Sequence, residues 1–370
     1  MDDANAAENQ AAVGALLPSP RLLPGAPVGG AAAAVRAWFD AAVEAAAPAV
    51  DGTLHAERAA AGAFQRLAKA ANTRNAYRAA VRAWCAWCAR HSLSPLPAAG
   101  PDVAAFLAAE RRRGLAPATL DLRRAAIRYL HRAAGCAVPT DDACVAETVA
   151  GIRREAAGKG ELPEKKVAAT AAVVRRLLAP IPDDLRGLRD RALILVGFAG
   201  ALRRAELAAI RVEHLERTPR GIRLTLPQTK GAQTAAVVVP LPYGETELCP
   251  VRALERWHAA AGITAGPVFR RLWRARLDTP GAPARPRLGR EAITPRAVAD
   301  IIQARAVSAG FGRRELGGHS LKRGALTTGM ERGVHPARLK RLGRHKSFDV
   351  LGEYLEFGDL FEGHPLGGVL

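Results

Sequence analysis

The chain predicts a mainly α-helical fold with a small β-sheet, shared between two domains, and three observations carry that reading. Apolar residues recur at spacings of three and four through most of the length, in stretches opened by Thr, Asp or Pro and stopped by Gly. Only the interval 221–241 has the composition of strands joined by a turn. The 370 residues, 49% of them apolar, suffice for two cores, and a polar Gly- and Pro-bearing segment at 158–166 separates two periodic regions.

Residues 1–60, rich in Ala, Pro and Gly, read as a flexible, weakly acidic arm in which only 31–47, with Trp38 and Phe39, has the pattern of a short helix. Residues 61–157 form the first domain, of four helices. Asn72-Thr73 caps a helix over about 73–90, where Tyr77, Val81, Trp84 and Cys88 share one face. Pro101-Asp102 opens a second that runs through Arg111 and stops at Gly114. Pro117-Ala118-Thr119 starts a third with Leu122, Ile127 and Leu130, and a fourth spans 141–156. Residues 158–169 are a linker, and 170–370 are the second domain. Helices are expected there at 171–179, 186–210, 250–261, 295–309, 319–332 and 336–343, around a hairpin of 221–226 and 235–241 that places Lys230 near its turn.

Charge narrows the partner. Lys and Arg number 54 against 35 Asp and Glu, a net +19. Residues 1–60 hold three cations and seven acids, so residues 61–370 carry 51 cations and 28 acids, a net +23. A surface so basic attracts polyanions, nucleic acid first among them. The longest uninterrupted apolar run, 192–202, is far short of the roughly 18–20 residues a membrane helix needs, so no membrane partner is expected. Five cysteines at irregular spacing fit a reducing compartment. Cys85-x-x-Cys88 lies on a helix without a second pair and reads as packing rather than metal binding. The acidic start, Met1-Asp2-Asp3, lacks the cationic and apolar stretches of a secretory signal, and a cytoplasmic protein, nucleoid-associated when bound to DNA, is expected.

Three polar clusters interrupt the apolar pattern of the second domain. The first holds Arg203 and Glu206, after the apolar run. In the second, Lys322 and Arg323 follow His319 by three and four residues, and on a helix both share its face. The third contains His345, with Tyr354 nine residues on. Arg203, Lys230, His319, Lys322 or Arg323, and His345 together make a donor-rich cationic pocket, suited to a phosphate whose charge grows in the transition state. Tyr354 is then its nucleophile, or else an anchor packed between Leu351 and Leu355. Chance spacing of His, cation, His and Tyr at these intervals comes to roughly 3 in 10,000 for this composition.

These residues resemble the tyrosine recombinases, or phage-type integrases, over about 72–360. Arg203 with Glu206 is similar to the family's arginine followed by Glu at the third position, and Lys230 to the lysine of its β-hairpin. His319 matches the histidine of the His-x-x-Arg box, His345 the His or Trp position of the Leu-Gly-His-like box, and Tyr354 the nucleophile. The resemblance implies a helical core-binding domain at 61–157, joined by a basic linker to a catalytic domain with a C-terminal docking tail. The activity implied is site-specific cleavage and rejoining of double-stranded DNA through a 3′-phosphotyrosyl link. It also implies a homo-oligomer, a tetramer on two duplexes, with no ATP, metal or other cofactor. Arg203 and Lys322 or Arg323 would hold the non-bridging oxygens, Lys230 would protonate the leaving 5′ oxygen, and His319 would assist proton transfer. His345 would donate to the phosphate and Glu206 would support the pocket. Arg111, Arg112, Arg113, Arg123 and Arg124, on exposed helix faces, with Lys165 and Lys166 of the linker, are candidates for phosphate contact; solvated charge is the alternative for the arginines.

One position departs from the family pattern. Its second arginine, three residues after the histidine, is here Lys322, with Arg323 beside it. Arginine grips two oxygens through a planar fork, whereas lysine offers a point charge. Either Lys322 acts with looser geometry, or Arg323 reaches in, or the chain is a catalytically impaired DNA-binding protein of the same architecture. A metal-dependent transposase or nuclease would need clustered carboxylates, which are scattered here.

Overall fold

The computed structural model describes residues 25–44, 60, 61, 64, 69–161, 166–227, 236–273 and 286–352. The chain divides into two compact units, Met1–Pro163 and Glu164–Leu370, each with its own apolar core.

The first unit consists of α1 (Ala32–Ala42), α2 (Ala71–Arg90), α3 (Gly100–Arg112), α4 (Pro117–Ala134) and α5 (Ala143–Gly158). Proline occupies the first turn of α3 and α4, where its missing N–H costs nothing. Gly135, with φ 68°, ends α4 in the left-handed conformation that glycine adopts without strain. The Asp142 carboxylate accepts from the Cys144 amide at 3.0 Å and caps α5. Trp84 centres the core, edge-on to Phe106 at 5.2 Å, and its indole N–H donates to the Pro95 carbonyl at 3.0 Å. The arm expected over 1–60 needs correction. Val35, Phe39 and Val43 are fully buried in this core, and α1 packs on α2, so the folded unit starts well before residue 61. Residues 1–24 and 45–59 of that arm lie outside the described residues.

The second unit contains α6 (Ala171–Leu178), α7 (Leu185–Ala199), α8 (Arg204–Ala208), β1 (Leu215–Thr218), β2 (Gly221–Leu226), β3 (Val237–Pro242) and α9 (Pro250–Ala261). Then follow β4 (Arg270–Trp273), β5 (Arg287–Ala292), α10 (Pro295–Ser308), α11 (Ser320–Glu331), α12 (Pro336–Gly343) and α13 (Phe348–Gly352). Strands β1–β2–β3 form an antiparallel sheet in which Leu224 lies between Leu215 and Val239. Helix α7 is apolar all round from Ala192 to Gly197 and is buried accordingly, packed against α6, α9, α10, α11 and β3. Near its start Asp190 is buried but takes bonds from Arg189 and, at 2.6 and 2.8 Å, from Arg305 of α10. Pairing on that scale makes a buried carboxylate tolerable.

Two features were not expected from the sequence. The helix read over 186–210 is two helices separated by a turn. A second sheet, β4–β5, also exists, whose strand Arg-Leu-Gly-Arg-Glu-Ala is too polar and too exposed to show the alternation by which strands are recognised.

Helix α11 is held by the incoming chain. The amides of Val167 and Ala169 donate to the carbonyls of Glu315 and Ser320 at 2.8 and 2.9 Å, and the Ala171 amide donates to Thr328 Oγ1 at 3.0 Å. This run passes so close to Gly324 that a Cβ there would stand 1.8 Å from the Ala169 carbonyl oxygen. Only glycine permits the contact.

Candidate active site

Two helix ends build the site. At the end of α7 the Leu202 amide donates to the Gly197 carbonyl at 2.9 Å and the Ala201 amide to that of Phe198 at 3.0 Å, with Ala201 at φ 45°. At the end of α12 the His345 amide donates to Lys340 and the Arg344 amide to Arg341, both at 3.1 Å, with Arg344 at φ 54°. Each is a Schellman turn, a motif that usually places glycine at the left-handed position. Here alanine and arginine occupy it, at about 1–2 kcal/mol each. Among the described residues only three non-glycines have positive φ, and these are two of them. Such strain persists only where surrounding contacts hold it.

Those contacts come largely from Arg344. Its Nη1 donates to the carbonyls of Gly200 and Leu342 at 3.0 and 2.9 Å, and its Nη2 to the Ala201 carbonyl at 2.7 Å and to Glu206 Oε2 at 2.8 Å. The guanidinium thus satisfies carbonyls that end α7 and pairs with the carboxylate of the next helix. Glu206 also receives Arg203, through the backbone N–H at 2.9 Å and through Nη1 at 2.8 Å, and closes the N-terminus of α8 as a capping box. Burial pushes the Glu206 carboxyl upward. The neighbouring Arg344 charge and the bonds from Arg203 outweigh it, and the net shift is downward. Glu206 is therefore ionised at neutral pH and fixes both arginines.

Lys322, on α11, is completely buried, and its Nζ donates to the carbonyl of Gly343. His345 lies against the same glycine, since a Cβ on Gly343 would meet its Cε1 and Nε2 at 3.2 Å. The imidazole is 7% exposed, and its pKa is lowered to about 4, by burial first and then by the charges of Lys322, Arg203 and Arg344. It is neutral at pH 7, in surroundings whose positive charge would favour an anion.

Arg203, Glu206, Lys322 and His345 are thus gathered from three segments far apart in sequence. The neighbouring Arg323 donates through Nη1 to the Lys166 carbonyl, in the run that precedes α6. His319 stands exposed at the N-cap of α11. Lys230, Tyr354 and Lys165 lie outside the described residues. In the first unit, Arg111 pairs with Glu155 and Glu161 at 2.8 and 2.7 Å, and Arg123 with Glu110 at 2.8 Å. Arg112 is exposed, Arg113 is largely exposed beside Glu110, and Arg124 lies 3.7 Å from Asp121.

The residue that sequence reasoning missed is Arg344. Beside His345 on a basic helix end it reads as surface charge, and the one available signal was its place directly after the glycine that closes α12. Among the described residues no group of His, Cys, Asp and Glu is arranged to hold a metal ion, the five cysteines are free, and no helix is long and apolar enough to cross a membrane.

A helical unit is followed by a mixed unit in which Arg203 and Arg344 converge on a buried glutamate with Lys322 and His345 close by, a donor-rich cationic arrangement suited to an anionic group such as a phosphate. Residues 64–135 match the family model described as phage integrase, N-terminal SAM-like domain. Over 322 residues the chain is 33% identical to the integrase/recombinase xerD homolog of Selenomonas ruminantium, covering 84% of this chain and 89% of that protein. Recombinase cre of Escherichia phage P1 is 28% identical over 285 residues, 74% of this chain and 80% of the relative. Among solved structures, XerH site-specific recombinase bound to palindromic difH substrate superposes with a TM-score of 0.58 at 13% identity, covering 91% of this chain and 93% of that one. The chain belongs to the tyrosine recombinase, or phage integrase, family. It is a tyrosine-type site-specific recombinase.

Proposed function

We propose that the chain exchanges strands of double-stranded DNA through a 3′-phosphotyrosyl intermediate on Tyr354. The phenol gives up its proton, through His319, as its oxygen attacks the scissile phosphorus; the bond to the 5′ oxygen breaks, and that oxygen takes a proton from Lys230. A 5′-hydroxyl from a partner strand then attacks the same phosphorus and expels the tyrosine oxygen. The bond energy stays in the covalent link, and no nucleotide is consumed. Arg203 and Lys322 hold the non-bridging oxygens, His345 donates to the phosphate, and His319 assists proton transfer. The observation that carries this reading is the convergence of Arg203, Lys322 and His345 around the Glu206–Arg344 pair. A phosphodiester entering there meets a preformed positive field. It also raises the depressed His345 pKa, so imidazole and phosphate stabilise each other.

Lys322 is preferred to Arg323 as the second phosphate-binding cation because its ammonium lies at Gly343, beside His345, while the Arg323 guanidinium is bonded to the Lys166 carbonyl. Arg112, Arg113 and Arg124 of the first unit, with Lys165 and Lys166 of the linker, contact the duplex backbone; Arg113 shares Glu110 with Arg123 but keeps its side chain 64% exposed, whereas Arg111 and Arg123, at 12% and 18%, are enclosed by their carboxylates. The protein works in the cytoplasm as part of the nucleoid, where its charge holds it. Four copies join two duplexes through the tail, in which Leu355, Phe357, Leu360 and Phe361 dock into a neighbouring copy. Removing 356–370 leaves single-site DNA binding intact and abolishes higher-order complexes in sedimentation; unchanged assembly rejects the docking.

The test of the chemistry is a nicked duplex carrying the target site, whose cleaved end diffuses away and traps the intermediate. A protein–DNA adduct that survives denaturation, forms without ATP and persists in EDTA is expected. Retarded DNA without an adduct would make the chain a binding protein of recombinase architecture.

A further inference from the structure

We propose that Arg344 is a positioning residue for strand cleavage: it locks the turn ending α7 to the turn ending α12, and so fixes His345 relative to Arg203. The inference rests on the strand-exchange reading above and assigns Arg344 no contact with DNA.

The geometry points to it in three ways. The side chain of Arg344 is 6% exposed, and both of its terminal nitrogens are already bonded to protein acceptors. Three of its four acceptors are backbone carbonyls, and two of these, Gly200 and Ala201, belong to the opposite turn and lie 144 and 143 residues away in sequence. The fourth is the carboxylate that also holds Arg203. A single planar fork therefore ties the N-cap of α8 to the residue immediately before His345, an arrangement lysine cannot reproduce. Its backbone conformation argues likewise. Glycine would adopt φ 54° without strain, so arginine there answers a demand other than turning the chain.

The groups facing His345 are Lys322 from α11, Arg203 from the start of α8 and Arg344 from the end of α12, with the Glu206 carboxylate behind the two arginines. Losing Arg344 removes one cation and releases the imidazole toward solvent, and both changes raise its pKa from about 4 toward the ordinary histidine value.

The test compares full-length wild type with Arg344→Gly, which suits the turn, and Arg344→Lys, which keeps the charge. Expected are cooperative thermal unfolding, DNA affinity within about twofold, and single-turnover adduct formation slower by on the order of 10²-fold in the glycine variant, with lysine intermediate. The His345 titration midpoint, read by NMR and assigned with His345→Gln, moves upward in the glycine variant. A residue that only supports folding would lower affinity and rate together. That parallel loss, loss of the folding transition in both variants, or an adduct rate within threefold of wild type in Arg344→Gly overturns the proposal. If the wild type itself forms no adduct, the strand-exchange reading fails instead, and an unmoved His345 midpoint still overturns the placement of Arg344.

Discussion

Tyr354→Phe is expected to abolish the covalent protein–DNA complex while leaving DNA binding within about twofold of wild type. The substitution removes one oxygen and keeps the ring, so any packing role between Leu351 and Leu355 survives, while the attacking atom does not. No other tyrosine stands at that spacing from His345: the remaining ones are Tyr77, Tyr129 and Tyr243. Tyr77 and Tyr129 belong to the aromatic cluster of the first unit, with ring centroids 5.5 Å apart. An unperturbed phenol has a pKa of about 10, so on the proposed mechanism cations such as those around His345 would be needed to favour the phenolate near neutrality. Denaturing electrophoresis of the trapped intermediate reads the result directly. Equal adduct yields from wild type and Tyr354→Phe would remove the mechanism.

Lys322→Ala and Arg323→Ala separate two neighbouring cations by function. Lys322→Ala is expected to slow adduct formation by about 10²- to 10³-fold, the range seen when one donor to a developing anion is deleted. It also leaves the Gly343 carbonyl without its ammonium, so unfolding should occur at lower temperature as well. Arg323→Ala is expected to change the single-turnover rate by less than tenfold, because its guanidinium is bonded to the Lys166 carbonyl, whereas the charges that depress the His345 pKa come from Lys322, Arg203 and Arg344. Rapid-quench measurement on the nicked substrate, at saturating protein so that affinity drops out, gives both numbers. The reverse order of effects would assign the second phosphate contact to Arg323.

Much of this was legible in the sequence, for identifiable reasons. Helix starts at Pro117, Pro250, Pro295 and Pro336 coincide with prolines that a helix tolerates only in its first turn, and these bounds needed no tertiary information. The turn at 200–203 was hidden because its left-handed residue is Ala201, while the neighbouring glycine is at the helix cap instead. Nothing local marks an alanine for that conformation. The contacts that hold it come from Arg344, more than 140 residues later. The choice between Lys322 and Arg323 was likewise closed to spacing arguments, since both fall on the face of His319. They diverge because one meets Gly343 and the other the run before α6. Arg111 shows the converse limit: its charge is plain in the sequence, but its pairing with Glu155 and Glu161 depends on how α3 and α5 pack.

The stretch from His319 to Gly324 leaves evolution almost no room. Leu321 fills the core against Gly197, where any added Cβ would come within 2.8 Å of it. The Ser320 carbonyl and Gly324 accommodate the chain that enters at Ala169, Lys322 reaches Gly343, and Arg323 ties down Lys166. Every letter of that hexapeptide after the histidine is answerable to a neighbour from another segment of the chain. The lysine at its fourth letter therefore sits in a frame that cannot drift, so any adjustment that brings its ammonium to a phosphate has to come from outside the hexapeptide, at places such as the turn occupied by Arg344.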